Sequence, residues 1–257
     1  MRCSMYFDTH AHYDDERFDE DRGEILGAMV SAGVSLILNA SSGLRSSRLS
    51  LEMSDTYPFV YAAIGVHPHD SKEMTDDSVG QLEKLLTHPK AKAVGEIGLD
   101  YHYDFSPRDV QKKRFREQME LARHIKKPVI IHEREALQDT LEIIREFSDL
   151  RGVLHCFSGS WETAKTIIDM GWYLSFTGVI TFKNARKAPE VIEKIPADRI
   201  MIETDCPYLA PEPMRGKRNS SLYLPYIAEK IAQIRGVSLE EAAALTMENG
   251  KRFFGIL

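Results

Sequence analysis

Nine histidines stand in this 257-residue chain, and the first two are spaced for metal chemistry. His10 and His12 lie two apart in Asp8-Thr9-His10-Ala11-His12, and side chains two apart on a strand point the same way. A lone buried histidine is more often a hydrogen-bonded core residue, whereas a pair on one strand end can ligate a divalent cation. Other short apolar runs also close on ligand-competent groups. Glu96 follows Ala91–Gly95, His132 ends Pro128–His132, His155 lies in Gly152–Cys156, and Asp205 follows Arg199–Thr204. Four imidazoles and two carboxylates of this kind suit a pair of divalent cations with open positions, able to activate a water for hydrolysis. Glu96 is suited to bridging, since a carboxylate can offer one oxygen to each ion. Asp8 reads either as an orienting partner for a ligand imidazole or as a buried carboxylate bonded to loop amides.

Around this set lie groups suited to holding a phosphate ester. His67 and His69 flank Pro68 and read as a third ligand pair or as hydrogen-bonding residues of a turn. Arg134 and the run Arg215-Gly216-Lys217-Arg218 supply cations for phosphate oxygens. Lys112-Lys113-Arg114-Phe115-Arg116 is denser in charge but reads as the solvated face of a helix. Of Trp161, Trp172 and Tyr208, which could stack bases, Trp172 begins an apolar strand and reads as core, leaving Tyr208 as the stacking candidate. Cys156 and Cys206 each follow a candidate ligand, so their side chains are expected to point away from it.

Positioning such a set takes a scaffold with many strand ends on one face. Apolar runs rich in β-branched and aromatic residues recur at Met5–Asp8, Val34–Asn39, Phe59–Val66, Ala91–Gly95, Pro128–His132, Gly152–Cys156, Gly171–Phe176 and Arg199–Thr204. Segments of helical spacing lie between them, including Phe18–Ala32, Pro107–His124 and Glu135–Phe147. Eight strands alternating with helices in this length predict an α/β fold, a (β/α)8 TIM barrel, as one domain over residues 1–257. A doubly wound sheet would show a phosphate-binding glycine pattern after its first strand, where this chain has Asp8-Thr9-His10-Ala11-His12.

Composition narrows the function classes. Lys and Arg number 33 against 39 Asp and Glu, a formal net charge of −6, which argues against nonspecific coating of duplex nucleic acid. The N-terminal residues lack the apolar stretch of a signal peptide, and no run approaches the ~18–20 apolar residues of a membrane span. With only three cysteines, the expected location is a reducing cytoplasm.

The chain resembles the TatD-type metal-dependent hydrolases of the amidohydrolase-like superfamily. The matching pieces are Asp8-Thr9-His10-Ala11-His12, Gly65-Val66-His67-Pro68-His69, Gly95-Glu96-Ile97-Gly98-Leu99-Asp100-Tyr101, Ile131-His132, His155-Cys156-Phe157-Ser158-Gly159 and Glu203-Thr204-Asp205-Cys206-Pro207-Tyr208-Leu209, with a C-terminal match over Asn249 to Phe254. The resemblance implies metal binding at His10, His12, Glu96, His132, His155 and Asp205, with Asp205 also the proton acceptor. It implies contact of His67 and His69 with substrate phosphate. It further implies deoxyribonuclease chemistry with two divalent cations, magnesium in activity, while the histidine-rich ligand set itself would tolerate manganese or zinc. The substrate would be a DNA single strand or strand end, often attacked 3′ to 5′, and a monomer is compatible with this. The same site chemistry leaves open another ester or amide, such as a D-aminoacyl-tRNA ester, a lactone or a small phosphate ester. One departure stands out: the family commonly carries Arg-Asn-Glu-Pro where this chain has Arg218-Asn219-Ser220-Ser221, which bears on substrate preference.

Overall fold

Continuous apolar runs cannot be half exposed, and here they become buried strands. The computed structural model describes residues 6–257; Met5, expected to open the first strand, lies outside the described residues, as do the rest of the N-terminal segment and Cys3. The strands are β1 (Tyr6–Ala11), β2 (Val34–Ala40), β3 (Val60–Ile64), β4 (Ala91–Asp100), β5 (Val129–Arg134), β6 (Gly152–Leu154), β7 (Tyr173–Phe176) and β8 (Ile200–Ile202). Between them run α1 (Arg22–Ala28), α2 (Leu44–Thr56), α3 (Ser78–Leu86), α4 (Arg108–Ile125), α5 (Leu137–Glu146), α6 (Trp161–Asp169) and α7 (Lys187–Lys194), with α8 (Leu224–Arg235) and α9 (Leu239–Phe254) after β8. The sheet order is β1 to β8 in sequence, so the fold is the (β/α)8 TIM barrel that the alternation predicts. Among the described residues, no helix is long and apolar enough to cross a membrane.

The chain divides into two compact units, Met1–Asn39 with Cys156–Leu257, and Ala40–His155. In the first, β7 pairs with β8 and β1 with β2, all parallel. β1 also lies against β8: Thr9 Oγ1 donates to the Ile202 carbonyl at 2.9 Å, and just beyond, Asp205 N donates to the His10 carbonyl at 2.9 Å. In the second unit, β3, β4, β5 and β6 pair in that order, again parallel.

Several boundaries differ from the hydropathy runs, and the differences fall on the ligand positions. β4 continues five residues past Gly95 to Asp100, and β5 continues to Arg134. Gly98, Leu99 and Asp100 pair with His132, Glu133 and Arg134, so backbone pairing carries both strands beyond their last apolar side chains. Glu96 and His132 therefore sit inside strands and not at their ends. β8 ends at Ile202, and Asp205 follows in a left-handed turn at φ 56°. The first helix, expected over Phe18–Ala32, is shorter at both ends: α1 runs Arg22–Ala28, and Phe18 closes a separate 3-10 turn, Glu16–Phe18, capped by Asp15.

β4 approaches β5 where two glycines remove the side chains that would collide. A Cβ on Gly95 would lie 2.8 Å from that of Ile130. Gly98 has φ +144°, and a Cβ there would run into the His132 carbonyl oxygen. Gly98→Ala is expected to lose more than about 3 kcal/mol, from backbone strain and this clash together. Urea unfolding compared with the parent chain checks it; an unchanged midpoint would mean that β4 and β5 part without loss.

Candidate metal centre

In the unit Ala40–His155, three ligand-competent atoms converge. Glu96 Oε1 lies 2.7 Å from His132 Nδ1 and 2.7 Å from His155 Nε2. The two ring nitrogens are 3.2 Å apart. Along β4 and β5 the register slips, Val94 facing Val129 and Ile97 facing Ile131. Three steps on β4 thus oppose two on β5, and such an extra residue re-aims the side chains around it, here Glu96. His155 follows the end of β6, its backbone N donating to the Ile131 carbonyl at 3.1 Å.

The far side of His132 is fixed by a group that hydropathy does not reveal. Asp100 Oδ2 accepts from His132 Nε2 at 3.1 Å and from His69 Nε2 at 2.9 Å. A carboxylate only accepts, so His132 donates from Nε2 to Asp100 and from Nδ1 to Glu96, and Nδ1 becomes a ligand lone pair only where a cation takes the place of that second proton. Burial alone would push the Asp100 carboxyl up, but hydrogen bonds from His132 and His69 outweigh it and hold it well below the usual carboxylate range. For His132, burial pulls downward, and the bonds to Asp100 and Glu96 outweigh it to raise the imidazole above its ordinary value. Once β4 is known to reach residue 100, the signal for Asp100 is its spacing of four from Glu96. His67 Nε2 is 3.6 Å from Glu96 Oε1, and His67, Glu96 and His132 each offer an atom within 4.8 Å of the others.

A second triplet lies in the other unit. His10 Nε2 and His12 Nε2 are 3.1 Å apart, and Asp205 Oδ1 lies 3.2 Å from His12 Nε2 and 3.7 Å from His10 Nε2. The turn carrying Asp205 is tied to β1, since His12 N also donates to the Cys206 carbonyl at 2.8 Å. Asp8 is wholly buried and clasped by loop donors: Thr204 N at 2.9 Å, Thr204 Oγ1 at 2.5 Å and Ser221 Oγ at 2.6 Å. Burial raises its pKa to about 7 against the opposing pull of Ser221 and Thr204. Tyr13, also buried, donates its hydroxyl to Ser221 Oγ at 2.9 Å and accepts from Ser221 N. The residues that depart from the family loop are thus interior scaffold, Ser220 capping the turn that starts at Ser221.

The remaining candidates separate by exposure and partners. Tyr208 is 45% exposed, with the Arg17 guanidinium 4.2 Å over its ring. Trp172 is buried, as a core residue should be. Arg134, Arg215 and Lys217 are exposed. Arg215 packs over Phe182 and lies 3.8 Å from the Glu212 carboxylate, an exposed pair. Arg218 is engaged: its guanidinium pairs with Asp21, donates to the Arg17 carbonyl and lies 4.7 Å over Phe18. Burial pushes the Cys206 thiol up to about 12, so it stays protonated and is a poor ligand. Lys112, Arg114 and Arg116 pair with Asp139, Glu117 and Glu146.

Both triplets fit a divalent cation. Ligand bonds of about 2.1 Å separate neighbouring donor atoms by about 3.0–3.4 Å, and the spacings here run from 2.7 to 3.7 Å. Imidazole and carboxylate together suit zinc or manganese as well as magnesium.

Comparison with known proteins agrees with this chemistry. The sequence profile of the family described as TatD related DNase matches residues 7–255. An uncharacterized metal-dependent hydrolase, YabD of Bacillus subtilis strain 168, is 45% identical over 98% of this chain and 100% of its own. The 3′-5′ ssDNA/RNA exonuclease TatD of Salmonella typhimurium is 33% identical over 98% of this chain and 99% of its own. The crystal structure of YJJV, a TatD homolog from Escherichia coli K12, superposes with a TM-score of 0.92 at 28% identity, covering 99% of each chain.

Ser221→Ala would leave Asp8 short of one buried donor and Tyr13 with only the longer contact to Ser220 Oγ, at 3.4 Å. A loss of about 1–3 kcal/mol is expected in urea unfolding; no loss would mean that water takes the place of the hydroxyl.

Proposed function

The chain belongs to the TatD-related DNase family of metal-dependent hydrolases, and from that premise we propose that it cleaves phosphodiester bonds of single-stranded DNA, removing nucleotides from the 3′ end. The observation that carries the reading is the pair of donor triplets, His10, His12 and Asp205 in one unit and Glu96, His132 and His155 in the other. Each triplet would hold one divalent cation. A bound cation lowers the pKa of water and offsets charge on the phosphate. Asp205 takes the proton of the attacking water, which suits an oxygen held at the mouth of a turn and only partly buried. Asp100 keeps the His132 tautomer in place. His67 and His69 donate to phosphate oxygens. Tyr208 stacks a base, with Arg17 already over its ring. Arg134, Arg215 and Lys217 hold phosphates away from the scissile one, while Arg218 braces its loop through Asp21. Cys156 and Cys206 are not joined in disulfides, which suits action in a reducing cytoplasm.

The test is incubation of the metal-loaded chain with end-labelled single strands, in parallel with chromogenic phosphodiesters, lactones and an aminoacyl ester. A ladder shortening from the 3′ end is expected, lost on chelation and regained with magnesium or manganese. Hydrolysis of the lactone or aminoacyl ester alone would overturn the nuclease reading, and full activity in excess chelator would overturn the metal sites. Asp205→Asn is expected to lower kcat by about 10²–10⁴-fold, with a smaller change in KM, since an amide cannot take the proton. A near-normal kcat would place the base elsewhere. Neutralising Arg215 and Lys217 to Gln should weaken binding of long strands and reduce the salt slope by about 0.7 for each phosphate left without its cation. An unchanged slope would make them solvated loop residues.

A further inference from the structure

Folding normally buries large aromatic rings, yet two neighbouring ones are left in solvent after β4. Tyr103 is 46% exposed and Phe105 is 56% exposed. Their rings are near parallel, with centroids 5.1 Å apart and planes 18° apart. The Arg134 guanidinium lies 4.8 Å over the Tyr103 ring, so a short stack of flat groups is already built. His69 meets both rings edge-on, at 5.3 Å from Tyr103 and 4.9 Å from Phe105. The same His69 donates to Asp100, which holds His132. The exposed stack is thus one imidazole removed from the residue that Asp100 fixes.

The loop is held as a rigid support. Asp100 Oδ1 accepts from His102 N at 3.0 Å and from Tyr103 N at 2.9 Å. Lys72 Nζ donates to the Phe105 carbonyl at 2.8 Å, and Ser106 Oγ to that of His69 at 2.7 Å. Gln111, buried in α4, donates to the Ser106 carbonyl at 2.8 Å and accepts from Asp100 N at 2.9 Å. Between the two rings, Asp104 takes φ 51° and pairs with Arg108 at 2.6 Å. Exposed apolar rings held this firmly mark a binding surface, and little ordering entropy remains to be lost on binding.

We propose that Tyr103 and Phe105 form a stacking platform for one nucleobase of a single-stranded substrate. A flat, sequence-tolerant π-face flanked by the cations Arg134 and Lys72 matches a base joined to phosphates. The inference rests on the single-strand reading above and adds the place where a nucleotide other than the one being cleaved is gripped. Tyr103 and Phe105 bind; they take no part in proton transfer.

The experiment is fluorescence anisotropy with a phosphorothioate-linked oligothymidylate, which resists cleavage, in the presence of divalent cation. One abasic position is moved along the strand a nucleotide at a time. The parent chain should show a position where losing the base weakens binding roughly 5- to 150-fold. Phe105→Ala should weaken binding of the full strand by a similar factor and erase the penalty at that position. Phe105→Trp, which keeps a flat ring, should retain both. A Phe105→Ala chain that binds the full strand as tightly as its parent would overturn the platform while the single-strand reading stands. Equal losses on the full strand and on the abasic strand would also overturn it, placing the ring in the loop's folding. A parent chain that binds no strand at all would overturn the nucleic-acid reading itself, and the platform with it.

Discussion

Buried donors whose lone pairs converge repel one another unless a proton or a cation lies among them, and this constraint governs the architecture around both triplets. Glu96, His132 and His155 bring three such atoms within 3.2 Å of one another, and His10, His12 and Asp205 within 3.7 Å. Holding them there requires a rank of partners behind. In one unit the Asp100 carboxylate, accepting from two backbone amides while its own backbone N donates to Gln111, pins the outer nitrogen of His132. In the other, Asp8 is clasped by Thr204, next to Asp205, and by Ser221. Each unit thus commits a buried carboxylate to orientation, at a cost offset by three or more hydrogen bonds.

Backbone irregularity does the aiming. β1 and β4, which carry ligand candidates, both slip register at those residues: Asp8 pairs with Ile37 but Ala11 with Asn39, and Val94 with Val129 but Ile97 with Ile131. A regular strand would alternate faces strictly and fix the spacing of its inward groups at two. The slip breaks that alternation, and glycines at 95 and 98 let β4 run close to β5 while it happens. Packing at the strands and chemistry at the ligands are therefore one constraint, since loosening the first displaces the second.

The barrel is legible in the sequence because buried parallel strands are continuous apolar runs, such as Pro128-Val129-Ile130-Ile131, and because helices separate them. Trp172 as core is legible for the same reason. What hydropathy cannot show is pairing that outlasts the apolar run, so Glu96 and His132 look like strand ends when they lie within β4 and β5. Asp100 is hidden by the same limit. The Tyr13–Ser221–Asp8 chain joins residues some two hundred positions apart, and nothing local in the sequence announces it. Arg218 shows the converse: a basic run reads as one cluster, yet Asp21 claims one member through a contact set by the fold. Tyr103 and Phe105 carry no signal beyond composition, because an aromatic in a loop reads as buried until its exposure is known.

The sum of charge, −6, would repel a polyanion from the molecule as a whole, so the proposed capture of a single strand requires local attraction. In the unit Ala40–His155, the loop after β4 sets Arg134 over an exposed ring and Lys72 against the carbonyl of the next; ring and carbonyl leave the charge of each cation in place. Lys112 and Arg116 on α4, by contrast, answer to Asp139 and Glu146. Cations that stack on rings keep their charge available, whereas cations paired with carboxylates do not. On the proposed single-strand reading, selecting a strand by flat faces and a few unneutralised cations leaves sequence unread, since every base has a π-face. A grip of this kind favours an unpaired strand over a duplex, whose bases are already stacked on one another. Under that proposal, discrimination between single and double strands would follow from which faces are free, without any contact to a base edge.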